Sequence, residues 1–150
     1  MIAVIQRVKH ASVTIDKTLK SSISEGLLVL LGIAHEDTQE DSDWLTKKII
    51  NLRIFSDADG KMNLSLKDIN GDLLVVSQFT LHASTKKGNR PSFIEAARPE
   101  KGIPMYEQFV QLSEIELGKT VYTGEFGADM QVQLLNDGPV TIIIDTKNKN

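Results

Sequence analysis

Residues 26–34, Gly-Leu-Leu-Val-Leu-Leu-Gly-Ile-Ala, are the longest apolar run in the chain and constrain its fold more than any other segment. Nine residues fall well short of the ~20 that a membrane-crossing helix needs. The run has no polar position at any period, so it reads as a strand buried on both faces. Such a strand needs an apolar layer above and below it, and the rest of the chain must supply both. At 150 residues the chain is long enough for one domain that buries roughly 70% of its unfolded surface.

Strand-like segments surround this run. Residues 4–8 and 12–16 are short and rich in apolar and β-branched side chains, Met62, Leu64 and Leu66 alternate, and residues 73–81 form a second long apolar strand. Asn70-Gly71 is a turn signal. Met130, Val132 and Leu134 alternate, Asn136-Asp137-Gly138-Pro139 reads as a turn, and Val140, Ile142 and Ile144 form the last strand. Two helices fit between the strands. Leu45, Ile49 and Leu52 recur at helical spacing between Thr38 and Arg53, with Asp37 or Thr38 as the N-cap. A second helix has Pro104 near its first turn, ends before Gly118, and presents Tyr106, Phe109, Val110 and Leu117 on one face. The sequence therefore predicts a single α+β domain over residues 1–150, with a mainly antiparallel, curved or barrel-like sheet and two α-helices. Residues 147–150 are expected to fray.

Composition excludes more than it assigns. With 41% hydrophobic and 25% charged residues the chain is an ordinary globular one, and a formal charge of -3 confines any nucleic-acid contact to a local patch. The absence of cysteine removes thiolate nucleophiles and Cys-based zinc sites. Residues 1–8 read as a strand and lack the basic, apolar and small-residue regions of a signal peptide, so a cytoplasmic protein without a membrane partner is expected. His10, His35 and His82 share no metal-ligand spacing, and Asp57-Ala58-Asp59-Gly60 lacks the remaining ligands of a calcium loop. No metal or cofactor is expected.

Three segments invite a chemical reading. Ser77, Gln78, Phe79 and Thr80 form the polar end of an apolar strand, where backbone N–H groups leave the ladder and become free to hold an oxyanion. Thr80 and His82, two apart on a strand, would share a face as nucleophile and base, although a threonine and a lone histidine at a strand end need no such role. Gly138-Pro139 lies in a tight turn, and an X-Pro bond is where the cis form costs only about 0.5–1 kcal/mol, so both isomers stay open. Lys86, Lys87 and Arg90 bring three positive charges into a Gly/Pro-containing loop with no nearby acid, suited to a few phosphate contacts or to a solvated surface.

Together these segments resemble the D-aminoacyl-tRNA deacylases nearly end to end. The resemblance is carried by residues 3–8 (Ala-Val-Ile-Gln-Arg-Val), 26–32, 77–81 (Ser-Gln-Phe-Thr-Leu), 87–93 (Lys-Gly-Asn-Arg-Pro-Ser-Phe), 124–130 and 136–141 (Asn-Asp-Gly-Pro-Val-Thr). It implies a homodimer with its active site at the subunit interface, acting on the acceptor end of aminoacyl-tRNA to release a D-amino acid or glycine. Residues 77–80 would line one side, and a cis Gly138-Pro139 unit from the partner would reject L substrates by crowding the α-carbon. Main-chain N–H groups around Phe79 and Thr80 would polarise the ester carbonyl, with water attacking and the terminal 2′-hydroxyl assisting. Lys86, Lys87 and Arg90 would contact the tRNA. His82 stands where relatives are expected to carry an aromatic or aliphatic residue, which weakens a Thr80/His82 pair. Two other classes remain open at this point: an RNA-binding module without turnover, and a hydrolase that uses Thr80 as a covalent nucleophile.

Overall fold

The computed structural model describes residues 1–149, and the doubly buried strand lies at its centre. This is β3 (Gly26–Gly32), in which every residue except Leu30 is buried. Its two faces serve two cores. Leu27, Val29 and Leu31 belong to the larger cluster that receives the helices, whereas Leu28 belongs to a second cluster with Val8, Ala11, Val13, Ile23, Leu74 and Val76. The period of two along the strand thus divides one apolar run between two layers.

β3 pairs on one edge with β1 (Ile2–Ile15), antiparallel, and on the other with β6 (Asp72–Ser77), parallel. A Cβ on Gly26 would lie 1.9 Å from the Asp72 carbonyl oxygen, so glycine permits the close start of that parallel pair. β1 is long enough to serve several neighbours. Residues 2–8 pair with β3 and residues 11–15 with β2 (Thr18–Ile23), while β8 (Gln131–Asp145) runs along the opposite edge. β7 (Tyr122–Thr123) extends the sheet beyond β6, again in parallel. The Ser21 hydroxyl donates to the Thr123 carbonyl at 2.5 Å, which draws β2 against β7 and nearly closes the sheet into a barrel. A small hairpin of β4 (Phe55–Ser56) and β5 (Met62–Leu64) lies apart. The α+β class and the curved, mainly antiparallel sheet with two helices agree with the sequence reading, with parallel pairs only at β6.

Helix α1 (Gln39–Asn51) begins after Thr38, whose N–H donates to the Asp41 carboxylate at 2.8 Å, and buries Leu45, Ile49 and Ile50. Helix α2 (Pro99–Leu117) starts five residues before the expected Pro104. Pro99 occupies the first position, where a missing N–H costs nothing, and Pro104 is carried inside the helix. Gly118, at φ 77°, ends it in the left-handed conformation. The Tyr106 hydroxyl, buried on α2, donates to the Val75 carbonyl at 2.7 Å and so fastens the helix to the sheet.

Three further differences matter. The strand expected over residues 73–81 stops at Ser77, and Phe79–His82 turns into a single stretch of 3-10 helix. The turn expected at residues 136–139 is instead a bulge inside the continuous β8: Gln6 pairs with Thr141 and Val8 with Asn136, so residues 137–140 all stand opposite Arg7. The alternation of Met62, Leu64 and Leu66 gives a strand only to Leu64, with Leu66 buried in the following turn. At the chain's start the Met1 ammonium is buried, donating to Asp37 at 2.6 Å and to Thr146 at 2.7 Å. Lys147 is tied to Asp41 at 2.9 Å, and Asn150 lies outside the described residues. No helix among the described residues is long and apolar enough to cross a membrane.

Candidate active site

Where β6 ends, Gln78 keeps one last bond to the sheet, its N–H donating to the Leu31 carbonyl at 2.8 Å. The chain then winds into the 3-10 turn, in which the Leu81 N–H returns to the Gln78 carbonyl. The first N–H groups of such a turn have no acceptor within it. Among the described residues, the amides of Phe79 and Thr80 make no hydrogen bond. Ser77, Gln78 and Phe79 line a cleft of about 230 Å³ together with residues 126–130, Ala97 just before α2 and Gly102 in its first turns. Asp129 is the one ionisable side chain on its wall.

Thr80 is brought close to the cleft without lining it. Its hydroxyl accepts from the Gln78 amide at 2.5 Å. The 3-10 turn also separates Thr80 from His82, because residues two apart are some 240° apart at about three residues per turn, whereas on a strand they would share a face. His82 Nε2 is buried without a hydrogen-bond partner among the described residues, so no Thr80–His82 pair is formed. Phe79 is more than half exposed and meets Phe93 edge-on with ring centroids 5.1 Å apart. Behind the cleft, burial pushes the Tyr106 phenol well above its ordinary pKa, against the smaller pull of a Gly124 backbone hydrogen bond. Tyr106 is therefore a neutral structural donor and no base.

The Gly138–Pro139 bond is cis, and both residues are exposed on β8. Arg7 holds the bulge from the facing strand, its Nε donating to the Asp137 carbonyl at 2.8 Å and its Nη1 to the Ile54 carbonyl at 2.6 Å. Asn136 closes the bulge from within, accepting the Val140 N–H at 2.8 Å. Gly138 has φ 143°, and a Cβ there would stand 2.8 Å from Val140 Cγ2 and 3.0 Å from Arg7 Nη2. Neither Gly138 nor Pro139 lines the cleft of its own chain. Leu135 and Ile143, 52% and 69% exposed, flank the bulge along β8.

Lys86, Lys87 and Arg90 line a separate groove of about 790 Å³, together with Leu81 and His82. Their loop is pinched at its base by two backbone bonds between Ser84 and Ser92, 2.8 and 2.9 Å. None of the three forms an ion pair among the described residues. The turn Phe79–His82 is the wall between the two hollows, with Phe79 in the cleft and His82 in the groove. Asp57, the start of the discarded calcium loop, uses its carboxylate to accept the N–H groups of Asp59 and Lys61.

Of the residues 77–80 named from the sequence, 77–79 line the cleft; the sequence reading assigned no site role to the other lining residues 126–130, Ala97 and Gly102, nor to Arg7 at the bulge. Residues 124–130 carry part of the resemblance named above, and Gly127 among them takes φ 79°.

A family model for D-Tyr-tRNA(Tyr) deacylase matches residues 4–145. A D-aminoacyl-tRNA deacylase of Cytophaga hutchinsonii is 68% identical over 149 residues, covering 99% of each chain. One from Bacteroides fragilis is 65% identical over the same span. Among solved structures, one described as the c-Myc DNA Unwinding Element Binding Protein superposes with a TM-score of 0.90 at 43% identity, covering 97% of this chain and 98% of that one. A probable eukaryotic D-amino acid tRNA deacylase superposes with a TM-score of 0.80 over 95% of this chain at 16% identity, a likeness of fold alone.

Proposed function

The chain belongs to the D-Tyr-tRNA(Tyr) deacylase family, and on that premise we propose that it hydrolyses the ester of D-aminoacyl-tRNA, and of glycyl-tRNA, in the cleft beside residues 77–80. The observation that carries this placement is the pair of unbonded amides at Phe79 and Thr80, at the mouth of a cleft whose wall is otherwise almost uncharged.

The chemistry follows from those groups. An ester carbonyl oxygen directed at the two N–H groups gains stabilisation as it becomes an oxyanion, and in a partly desolvated cleft this exceeds what water would give. Water adds to the carbonyl carbon, the tetrahedral intermediate collapses, and the bond to the ribose oxygen breaks. The amino acid leaves as the acid and the tRNA regains its hydroxyl. Among the described residues the cleft wall carries no His or Lys and a single carboxylate, Asp129; in this reading the substrate's own 2′-hydroxyl relays the proton from water, as the resemblance to the family implies. Thr80, whose hydroxyl is engaged by Gln78 and lies outside the cleft wall, positions and does not attack.

Gly138 and Pro139 act in this reading on a partner subunit. Their exposure, their absence from their own cleft, and the apolar Leu135 and Ile143 beside them suit a strand that docks on a second copy and inserts the bulge into its site. The bulge then crowds an L side chain at the α-carbon, which makes selection a matter of exclusion, and a substrate without a side chain passes the filter. Lys86, Lys87 and Arg90 hold phosphates of the acceptor end. The protein works as a homodimer in the chiral proofreading of translation, in the cytoplasm, with no cofactor in the reaction. The test is single-turnover deacylation of D-alanyl-, L-alanyl- and glycyl-tRNA on one tRNA body. Cleavage of the D and glycyl esters with the L ester spared is expected; cleavage of none, with the tRNA still bound, would leave only an RNA-binding module.

A further inference from the structure

Away from the cleft, the end of α1 and the C-terminal tail converge on a second cationic hollow. It measures about 430 Å³ and is lined by Trp44, Lys47, Lys48, Asn51, Leu52 and Arg53, with no carboxylate among them. Lys48 Nζ stands 5.5 Å and Lys149 Nζ 4.5 Å from the centre of the Trp44 ring. Among the described residues, Lys47, Lys48, Arg53 and Lys149 form no ion pair, in a chain whose formal charge is -3. A lysine in the last turn of a helix offsets its dipole, which accounts for Lys48 taken alone. It does not account for Lys47, which borders the hollow, or for Lys149, which comes from the C-terminal tail to the same indole; Arg53, also on the lining, is engaged by Asn63. Lys48 and Lys149 stand over a half-buried indole and Lys47 borders the same hollow, whose lining carries no carboxylate; positive charge spread in this way over a shallow hollow suits a run of phosphates better than a single ion.

We propose that this hollow is a second RNA contact, which holds the backbone of the tRNA body while Lys86, Lys87 and Arg90 hold its acceptor end. The proposal rests on the reading of the substrate as tRNA. It divides the work between two patches, one beside the chemistry and one on the helical layer, so that length of RNA and not the ester decides how tightly a substrate binds. Trp44 borders the hollow and is the chain's single tryptophan, so its fluorescence reports on the surroundings of this hollow.

The experiment titrates uncharged tRNA into the full-length protein and follows Trp44 emission, then measures KM for D-alanyl-tRNA and for D-alanyl-adenosine. Three proteins are compared: the unaltered chain, Lys47→Gln/Lys48→Gln/Lys149→Gln, and the charge-reversed Lys47→Glu/Lys48→Glu/Lys149→Glu. Arg53 is left in place because it also donates to the Asn63 carbonyl and so supports β5. In the unaltered chain tRNA is expected to change the emission saturably. The neutral triple variant should lose most of that change and raise KM for D-alanyl-tRNA about tenfold, with a salt slope reduced by about one per lost contact, and the reversed variant should do more. Both should keep the unaltered chain's melting temperature within a few degrees and its KM for D-alanyl-adenosine. Emission indifferent to tRNA, or an unchanged KM for D-alanyl-tRNA in both variants, overturns the second contact. Failure of the unaltered chain to cleave D-alanyl-adenosine would instead overturn the deacylase site, whatever the hollow binds.

Discussion

Arg7 grips the strand opposite it at Asp137, with Nε 2.8 Å from the carbonyl oxygen it donates to and 3.7 Å from the carboxylate. The same guanidinium donates to Ile54 beyond β8, so one side chain fixes the bulge both to its own strand and to the segment entering β4. Arg7→Lys keeps the charge and loses the fork that makes both bonds. The expected result is a loss of about 1–3 kcal/mol in unfolding free energy, with a kcat for D-alanyl-tRNA reduced more than KM is raised. Denaturant unfolding and steady-state kinetics on the same preparation check it. Full activity in Arg7→Lys would mean that the bulge needs no anchor.

Gly138→Ala tests the bulge from the other side. The added methyl would meet Val140 Cγ2 at 2.8 Å and Arg7 Nη2 at 3.0 Å, and φ 143° is a conformation that alanine rarely adopts. Under exclusion at the α-carbon, crowding should lower cleavage of D-alanyl- and glycyl-tRNA together and leave L-alanyl-tRNA uncleaved. Gain of L-alanyl cleavage in this variant would contradict a filter that works by occupying space.

The basic loop makes a separable prediction. Lys86→Ala, Lys87→Ala and Arg90→Ala together should raise KM for D-alanyl-tRNA and flatten its salt dependence by about one unit of slope per phosphate contact removed. Cleavage of D-alanyl-adenosine should suffer far less, because phosphate contacts position the RNA without touching the ester. Equal losses on both substrates would show that the loop supports the cleft itself.

Acid stability should depend on Asp41. Burial opposes its charge, but the Thr38 N–H, the Lys147 ammonium and the Thr146 hydroxyl outweigh that and hold its carboxyl well below the usual carboxylate range. A carboxylate depressed in the folded state contributes stability that is present above its unfolded pKa of about 3.9 and is lost as the pH falls through the folded value. The Lys147 ammonium, raised chiefly by its hydrogen bond to Asp41, contributes below its unfolded pKa of about 10.4 and loses that contribution as the pH climbs further. Asp41→Asn should therefore be less stable than the unaltered chain at neutral pH and lose less on acidification below about pH 4. Urea midpoints across that range measure it; parallel pH profiles for the two proteins would show that the shift has no weight in folding.

What could be read in advance depended on how local the cause was. β3 was legible because both of its faces are apolar within one short segment. The start of α2 was misplaced since Pro99 and Pro104 carry the same local signal, and the helix takes Pro99 at its first position and carries Pro104 inside. Phe79, Thr80 and Leu81 have strand propensity, yet the chain leaves the sheet at Ser77 because the ladder with β3 ends at Leu31. The residues 136–139 look like a hairpin turn at close range. Asn136 closes the bulge from within the segment, but the pairing of its flanks with Gln6 and Val8 and the grip of Arg7 on Asp137 come from far away in sequence, outside any window of neighbouring residues.

Beside its salt bridge to Asp37, Met1 also ties the first strand to the last. The Met1 ammonium donates to Thr146 at 2.7 Å and the Thr146 N–H returns to the Met1 carbonyl at 2.9 Å, so the first and the 146th residues are clasped in both directions. β1 and β8, the first and last strands, run side by side from that clasp to Thr14 and Gln131. The polypeptide is in effect a ring closed without a covalent bond. Closing a loop of this length costs only slowly more entropy than closing a short one, but the cost falls before any of the β1–β8 pairs can form. The strand that carries the glycine-proline bulge is therefore assembled from the most distant contacts in the molecule.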